Sequence, residues 1–220
     1  MVNEGTARTS DGASLSWTSR GSGEPILLIA GQAVTQTSWN AFADGLSDQF
    51  TVITFDQRGI GSSSDGATPP TTTRAIARDA LSVMDSLKIN RFHLIGHSMG
   101  GRVAQWLALD STDAVGTLVL IATTGGDERG FPRPAAATTD LASGDRERLA
   151  SRFFSEAFLG ENPYAIDVFV RPEGSPRSAV EPSRQALPTT HGMRSAESPH
   201  PRSSSMAERT RSLLSRTAVP

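Results

Sequence analysis

The residues best suited to do chemistry in this chain are the pentapeptide Gly96-His97-Ser98-Met99-Gly100, which has the form G-x-S-x-G. It lies between an apolar run at 92–95, which predicts a strand, and a helix predicted at 99–109. A serine at such a turn takes a strained backbone conformation, so the residues two before and two after it must be small. The Met99 amide, at the helix N-terminus, can then stabilise an oxyanion. We therefore predict that Ser98 is a nucleophile; the alternative is a glycine-rich turn with an incidental serine.

A second oxyanion donor is expected from the loop that follows the first buried strand. That strand is predicted at 26–29, an unbroken apolar run, and the loop after it reads Ala30-Gly31-Gln32. The backbone amide of Gln32 is therefore the candidate donor. The same loop also fits an ordinary turn at Gly31.

Strands and helices alternate along the first part of the chain and would position these residues. Apolar runs and helical periodicity predict five strands, at 14–17, 26–29, 51–55, 91–95 and 117–121, and three helices, at 39–46, 76–87 and 99–109. This alternation predicts an α/β fold with a doubly wound, mostly parallel sheet and right-handed crossovers. Two further helices, at 145–159 and 164–170, are expected to form a partial cap above the carboxyl edge of the sheet, where ligands bind.

Three segments together resemble the α/β-hydrolase fold family, of its compact esterase and enol-lactonase type. They are Leu-Ile-Ala-Gly-Gln at 28–32, Asp-Gln-Arg-Gly-Ile-Gly-Ser-Ser at 56–63, and Gly-His-Ser-Met-Gly-Gly at 96–101. The resemblance covers roughly residues 5–170 and implies hydrolysis of a small-molecule carboxylic ester or lactone through an acyl-enzyme on Ser98, without cofactor or metal. It also implies that the loop at 56–63 is structural. Ala30 stands where members usually have histidine, which weakens the anchoring of the oxyanion loop.

A serine nucleophile needs a base, which is itself oriented by an acid. In the family the acid follows the serine in the pattern H-G-x-x-D, and the histidine base comes after the last strand. The H-G pair downstream of Ser98 is at 191–192, and Ser195 occupies the position of the acid. The remaining histidine, His200, lies between two prolines. We therefore expect the acid and base to be missing and catalysis to be impaired.

Asp127, or its neighbour Glu128, is the candidate for a substitute acid. Both follow the strand predicted at 117–121, a place from which a minority of this fold supply their acid, although a solvated loop carboxylate is the alternative. Two other functions therefore stay open. One is an active hydrolase that uses Asp127 with an unusual histidine. The other is a non-enzymatic module that binds small molecules in the cap pocket.

Composition divides the chain into three parts. We predict a hydrolase core at 1–126, a partial helical cap at 127–170 and a low-complexity tail at 171–220. The last 50 residues contain 25 Ser, Pro and Arg and have no Phe, Trp, Tyr or Ile. Such a segment cannot bury enough apolar surface to offset its ordering entropy, so we expect it to be disordered.

Charge and cysteine content exclude several classes of protein. The chain has 21 basic and 23 acidic residues, so no strong field favours nucleic acid or an anionic membrane. It has no cysteine, which excludes disulfides and thiolate metal sites. No apolar run approaches the length of a membrane span, and the polar start does not have the pattern of a signal peptide. A cytoplasmic protein is expected.

The last strands of the family's sheet would cover the strand predicted at 117–121. Without them that strand would expose apolar side chains and unpaired backbone groups. We therefore expect low stability and self-association through the uncovered sheet edge.

The codons of the tail suggest how these strands were lost. If Ser203, Ser204 and Ser205 use TCN codons, the frame displaced by one base reads NTC triplets, which encode only Leu, Ile, Val or Phe. In the same frame the codon after Met206 must encode Gly, and Thr210 permits Asp. The displaced frame can therefore read P-T-L-V-I-H-G-G-A-D, the missing strand with its acid. Our hypothesis is a frameshift near 189–191.

The frameshift hypothesis predicts TCN codons at 203–205. It also predicts that a one-base repair near codon 190 restores the strand, improves solubility and recovers esterase activity if the downstream codons are intact. Sequencing the gene checks the codons, and an esterase assay on the repaired protein checks the rest. Other serine codons at these positions would contradict the hypothesis.

Overall fold

The structure is a computed structural model that describes residues 1–32, 34–67, 72–126, 133–143 and 145–165. The tail at 171–220 and the candidate acid Asp127 lie outside these residues, as do Ser195 and His200. The hypotheses about them therefore stay predictions.

Six strands form one sheet. They are β1 (Val2–Arg8), β2 (Ser14–Arg20), β3 (Glu24–Ile29), β4 (Phe50–Phe55), β5 (Phe92–His97) and β6 (Val115–Ile121). Their order across the sheet is β1-β2-β4-β3-β5-β6. The last four strands in this order run parallel, whereas β1 and β2 pair antiparallel with their neighbours. The predicted α/β class with a mostly parallel sheet is confirmed.

The helices follow the predicted pattern in the core and depart from it in the cap. A 3-10 turn at Gln36–Trp39 leads into the first of six α-helices among the described residues, which are α1 (Asn40–Leu46), α2 (Thr73–Ser86), α3 (Met99–Asp110), α4 (Ala135–Ser143), α5 (Arg146–Phe153) and α6 (Glu156–Glu161). No helix in this part of the chain is long and apolar enough to cross a membrane.

The helix predicted at 145–159 is two helices, so that expectation was wrong in detail. Phe154 takes an extended conformation, and the Ser155 hydroxyl accepts a hydrogen bond from the Phe158 amide at 3.2 Å. This side-chain cap starts α6 anew, because serine offers the backbone an alternative to continuing the helix. Of the helix predicted at 164–170, residues 164 and 165 belong to a short 3-10 turn and the rest lie outside the described residues.

The centre of the sheet explains the position of the site. Leu27, Leu28 and Ile29 of β3 are fully buried, as expected of a strand covered on both faces. From β3 the chain moves first to β4 on one side and later to β5 on the other. The loops after β3 and β5 therefore leave the same edge of the sheet in a crevice, which is where open α/β sheets bind ligands.

β6 lies at the edge of the sheet in the part of the chain that the structure describes. Leu120 in this strand is 43% exposed. This arrangement agrees with the expectation of an apolar edge at 117–121. Self-association through that edge stays a prediction.

An ion pair fastens the loop after β4. Arg58 donates two hydrogen bonds to the carboxylate of Asp79 on α2, at 2.7 and 2.8 Å, and a third to Asp11 in the turn between β1 and β2. The side chains of Arg58 and Asp79 are only 9% and 4% exposed. The guanidinium holds the pKa of Asp11 well below its usual range. The structural role expected of this loop is thus explained by Arg58, which joins the loop after β4 to α2 and to the turn between β1 and β2.

Replacing the buried cation should destabilise the fold strongly. We expect Arg58→Gln to lower the free energy of unfolding by about 3 kcal/mol or more, because Asp79 would be left buried without its partner. The matched change Arg148→Gln removes an ion pair whose arginine is 61% exposed, and should cost less than about 1 kcal/mol. Urea unfolding of both variants measures the difference, and equal losses would contradict the structural role of Arg58.

Candidate active site

Ser98 occupies a sharp turn between β5, which ends at His97, and α3, which begins at Met99. Its backbone has φ 54° and ψ −120°, a conformation that non-glycine residues rarely adopt. The Ser98 amide donates to the Ile121 carbonyl at 3.0 Å, and its own carbonyl accepts from the Thr123 hydroxyl at 2.6 Å. The strained residue is therefore held from the side of β6.

Close packing explains why the neighbours of Ser98 are glycines. A Cβ on Gly96 would lie 2.5 Å from the Gly100 carbonyl oxygen. A Cβ on Gly100 would lie 2.3 Å from the carbonyl oxygen of Ile29 at the end of β3. Both distances are far below van der Waals contact, so any side chain would separate α3 from the sheet. The turn thus has the geometry predicted from the G-x-S-x-G spacing.

A cavity of about 510 Å³ opens above Ser98 and contains the loop after β3 in its wall. Its lining is mostly aromatic and aliphatic; the described residues that form it are Ala30, Gly31, Gln32, Val34, Ser38, Trp39, Phe42, His97, Ser98, Ile121, Ala122, Arg133, Leu141, Phe153 and Phe154. The volume falls in the range of small-molecule sites. Cap residues from α4 and α5 therefore meet core residues over the serine.

The structure brings the predicted oxyanion loop to the serine. A Cβ on Gly31 would lie 3.4 Å from the Ser98 Cβ, so the loop passes directly beside the turn. Gln32 lines the same cavity as Ser98, and Met99 follows Ser98 at the first position of α3. The N-terminus of α3 carries the positive end of the helix dipole, which favours negative charge at this point.

Gln57 anchors the oxyanion loop, a contact that the sequence analysis missed. Its side-chain amide donates to the Ala30 carbonyl at 2.8 Å, and both groups are buried. Next to it, the Asp56 carboxylate accepts from the amides of Gln36 and Ser62, at 2.8 and 3.0 Å. The loop therefore has a polar anchor although Ala30 carries no polar side chain. The D-Q-R triplet could have signalled it, because a run of polar residues directly after a buried strand must find partners.

His97 lies in the cavity wall. Burial lowers the pKa of its imidazole below the usual range. The ring packs edge-on against Trp39, with centroids 6.4 Å apart. The other described histidine, His93, lies near Glu24, with Nε2 3.3 Å from Oε2. The His97 ring thus contributes to packing, and His93 lies within reach of a local polar contact.

The acid and base of a catalytic triad are not located by the described residues. No described side chain accepts a hydrogen bond from the Ser98 hydroxyl. Asp127, Glu128, Ser195, His200 and the pair at 191–192 all lie outside the described part of the chain. Within that part, no group of His, Cys, Asp or Glu side chains could hold a metal ion.

Comparison with known proteins identifies the family. A sequence profile described as the alpha/beta hydrolase fold matches residues 24–163, so the chain belongs to the α/β-hydrolase fold family. The fluoroacetate dehalogenase of Burkholderia sp. is 37% identical over 105 residues, which cover 46% of this chain and 34% of that protein. The chain thus matches about a third of the length of the curated relatives it resembles.

Solved structures show the same fold. A hydrolase from Pseudomonas aeruginosa PA01 superposes with a TM-score of 0.66 at 29% identity, covering 82% of this chain and 71% of that one. Est816, described as an N-acyl homoserine lactone degrading enzyme, gives a TM-score of 0.62 at 25% identity, over 75% of this chain and 63% of that one. The chain therefore shares its fold with hydrolases of this family.

The close packing around the turn at Ser98 predicts that alanine substitutions at two glycines change the free energy of unfolding in opposite directions. Gly100→Ala should lower the free energy of unfolding by more than about 3 kcal/mol, because its methyl group meets the backbone of β3. Gly45→Ala in α1 meets no atom within 4 Å and should raise it by about 0.5–1 kcal/mol. Urea unfolding measures both. A fully stable Gly100→Ala protein would show that α3 does not pack against β3 as described.

Proposed function

We propose that this chain is a serine hydrolase that acts on carboxylic esters or lactones through an acyl-enzyme on Ser98. The observation that carries the proposal is the strained turn that presents Ser98 at the floor of an apolar cavity, beside the N-terminus of α3. Strain of this kind is retained where the surrounding structure serves a function.

The proposed reaction has two steps. The Ser98 hydroxyl attacks the acyl carbon, its proton passes to a base, and the alcohol leaves with a proton to give an acyl-serine ester. Water then hydrolyses that ester, releasing the carboxylic acid and restoring Ser98. In each step the backbone amides of Met99 and Gln32 would hold the oxyanion.

The relatives support hydrolysis of small molecules but differ in substrate. One is named for the dehalogenation of fluoroacetate and another for the degradation of an acyl lactone. A serine nucleophile in this chain favours acyl transfer, because a serine hydroxyl forms an ester with the carbonyl carbon it attacks. Of the substrates in these names, the lactone is the one closest to the chemistry proposed here.

We propose further that turnover by this chain is slow. The sequence downstream of Ser98 does not supply an acid and histidine with the family spacing, and a serine without its base reacts weakly. Oxyanion donors and binding alone still give residual catalysis. A second candidate is ligand binding without turnover, favoured by the volume and the largely apolar lining of the cavity beside Ser98.

Hydrolysis of p-nitrophenyl butyrate tests the proposal. We expect release of p-nitrophenol that depends on Ser98 but stays below about 1 s⁻¹, the lower end of ordinary turnover. Ser98→Ala should reduce it to the solvent background, and Ser82→Ala, which removes a remote hydroxyl on α2, should leave it unchanged.

Two outcomes would change the conclusion. Absence of any Ser98-dependent release would overturn the acyl-enzyme and favour the binding module. Turnover at ordinary enzyme speed, lost in Ser98→Ala, would overturn the impaired triad and favour the alternative in which Asp127 supplies the acid.

A further inference from the structure

The cavity above Ser98 has one unusual feature, which is a single cation in a largely apolar wall. His97 and Arg133 are the titratable side chains among the described lining residues, burial lowers the pKa of His97, and none of the lining residues is Asp or Glu. Arg133 is half-buried at the point where the chain enters the cap, just before α4. An arginine side chain carries a positive charge throughout the physiological pH range.

The guanidinium of Arg133 forms no ion pair or hydrogen bond with the described residues. Two carboxylates near this point of the chain are engaged elsewhere. Asp140 on α4 pairs with Arg152 at 2.7 Å, and Asp145 accepts from the first amides of α5 and lies 3.5 Å from Arg148. The charge in the cavity wall is therefore not neutralised by Asp140 or Asp145.

A half-buried cation beside aromatic walls has a strong preference for one kind of partner. Partial burial removes water from the guanidinium, which is costly unless other groups replace it. A carboxylate replaces water best, because its two oxygens match the planar fork of the guanidinium. Nothing in the described wall supplies such a group, and a ligand in the cavity would.

We propose that Arg133 is a specificity-determining residue that binds a carboxylate at the far end of the substrate from the scissile bond. The substrate class would then be esters or lactones whose acyl part carries a second, negatively charged carboxylate, with its carbon chain against the apolar wall. This inference rests on the proposed function, which assigns the ester or lactone group of the substrate to Ser98. The position of Arg133 in the cavity wall supports the second carboxylate of the substrate.

Binding of a matched pair of esters tests the inference without turnover. Monomethyl glutarate and dimethyl glutarate differ at one end, which is a charged carboxylate in the first and a neutral methyl ester in the second. Each would be titrated into the Ser98→Ala protein at neutral pH, with calorimetry for affinity and the NMR signal of the Trp39 indole, a lining residue, to locate the ligand in the cavity. We expect the anionic ester to bind about 10-fold more tightly, as for a hydrogen bond to a charged group.

Three further variants assign the preference to one residue. In the Ser98→Ala background, Arg133→Gln should abolish the preference for the anion, so that the two esters bind with equal affinity. Arg133→Lys should keep part of it, because the charge remains while the fork is lost. Arg148→Gln removes the same charge from the exposed side of α5 and should keep the full preference. Circular dichroism of each variant confirms that it is folded.

The inference is overturned if the two esters bind equally, if neither shifts the Trp39 signal, or if the preference survives Arg133→Gln. Its failure is distinct from that of the proposed function. Ester hydrolysis that depends on Ser98 but shows no charge preference in binding would overturn only the role of Arg133. A charge preference in binding without any Ser98-dependent hydrolysis would overturn only the catalytic proposal.

Discussion

A left-handed backbone at Ser98 requires β5 and α3 to meet with almost no side-chain volume between them. Gly96 and Gly100 meet this requirement, and the resulting contact brings α3 against the carbonyl groups at the end of β3. Because of that contact, the loop after β3 runs within van der Waals distance of the serine. The position of the candidate oxyanion donors relative to the proposed nucleophile thus follows from close backbone packing rather than from side-chain choice.

Polar residues after β4 keep that arrangement in place. The Gln57 side chain donates to the carbonyl of Ala30, and the Asp56 carboxylate accepts from the backbone amides of Gln36 and Ser62. Arg58 joins the loop after β4 to α2 through its ion pair with Asp79. Each of these buried groups would be costly without its partners, so the contacts restrict the loop to one conformation. The charged and polar residues 56–58 therefore serve the structure of the loops.

Local pattern was enough to predict most of the core, since buried strands and the amphipathic α2 leave strong periodic signals. It missed β1, because Val2–Arg8 contains few apolar residues and pairs at the sheet edge. It merged α5 and α6, because both read as one helical run until the Ser155 cap is formed. The anchor from Gln57 to Ala30 spans 27 residues, a separation on which no local pattern gives information. Ser98, Met99 and Gln32 could be proposed as a set because the roles proposed for them depend on backbone position, which strand and turn spacing reveal. The partners of a serine depend on long-range folding, and here the candidates lie beyond the described residues.

The Ser98 amide donates to the Ile121 carbonyl and the Ser98 carbonyl accepts from the Thr123 hydroxyl, which links the proposed nucleophile to the end of the edge strand of the described sheet. Edge strands open more readily than central ones, because fewer contacts oppose local unfolding. When this strand frays, the strained turn loses two of its restraints and can relax toward an ordinary conformation. The rigidity of the reactive hydroxyl is therefore coupled to the fraying equilibrium of β6. Any molecule or segment that pairs with this strand would stiffen the nucleophile from outside the cavity.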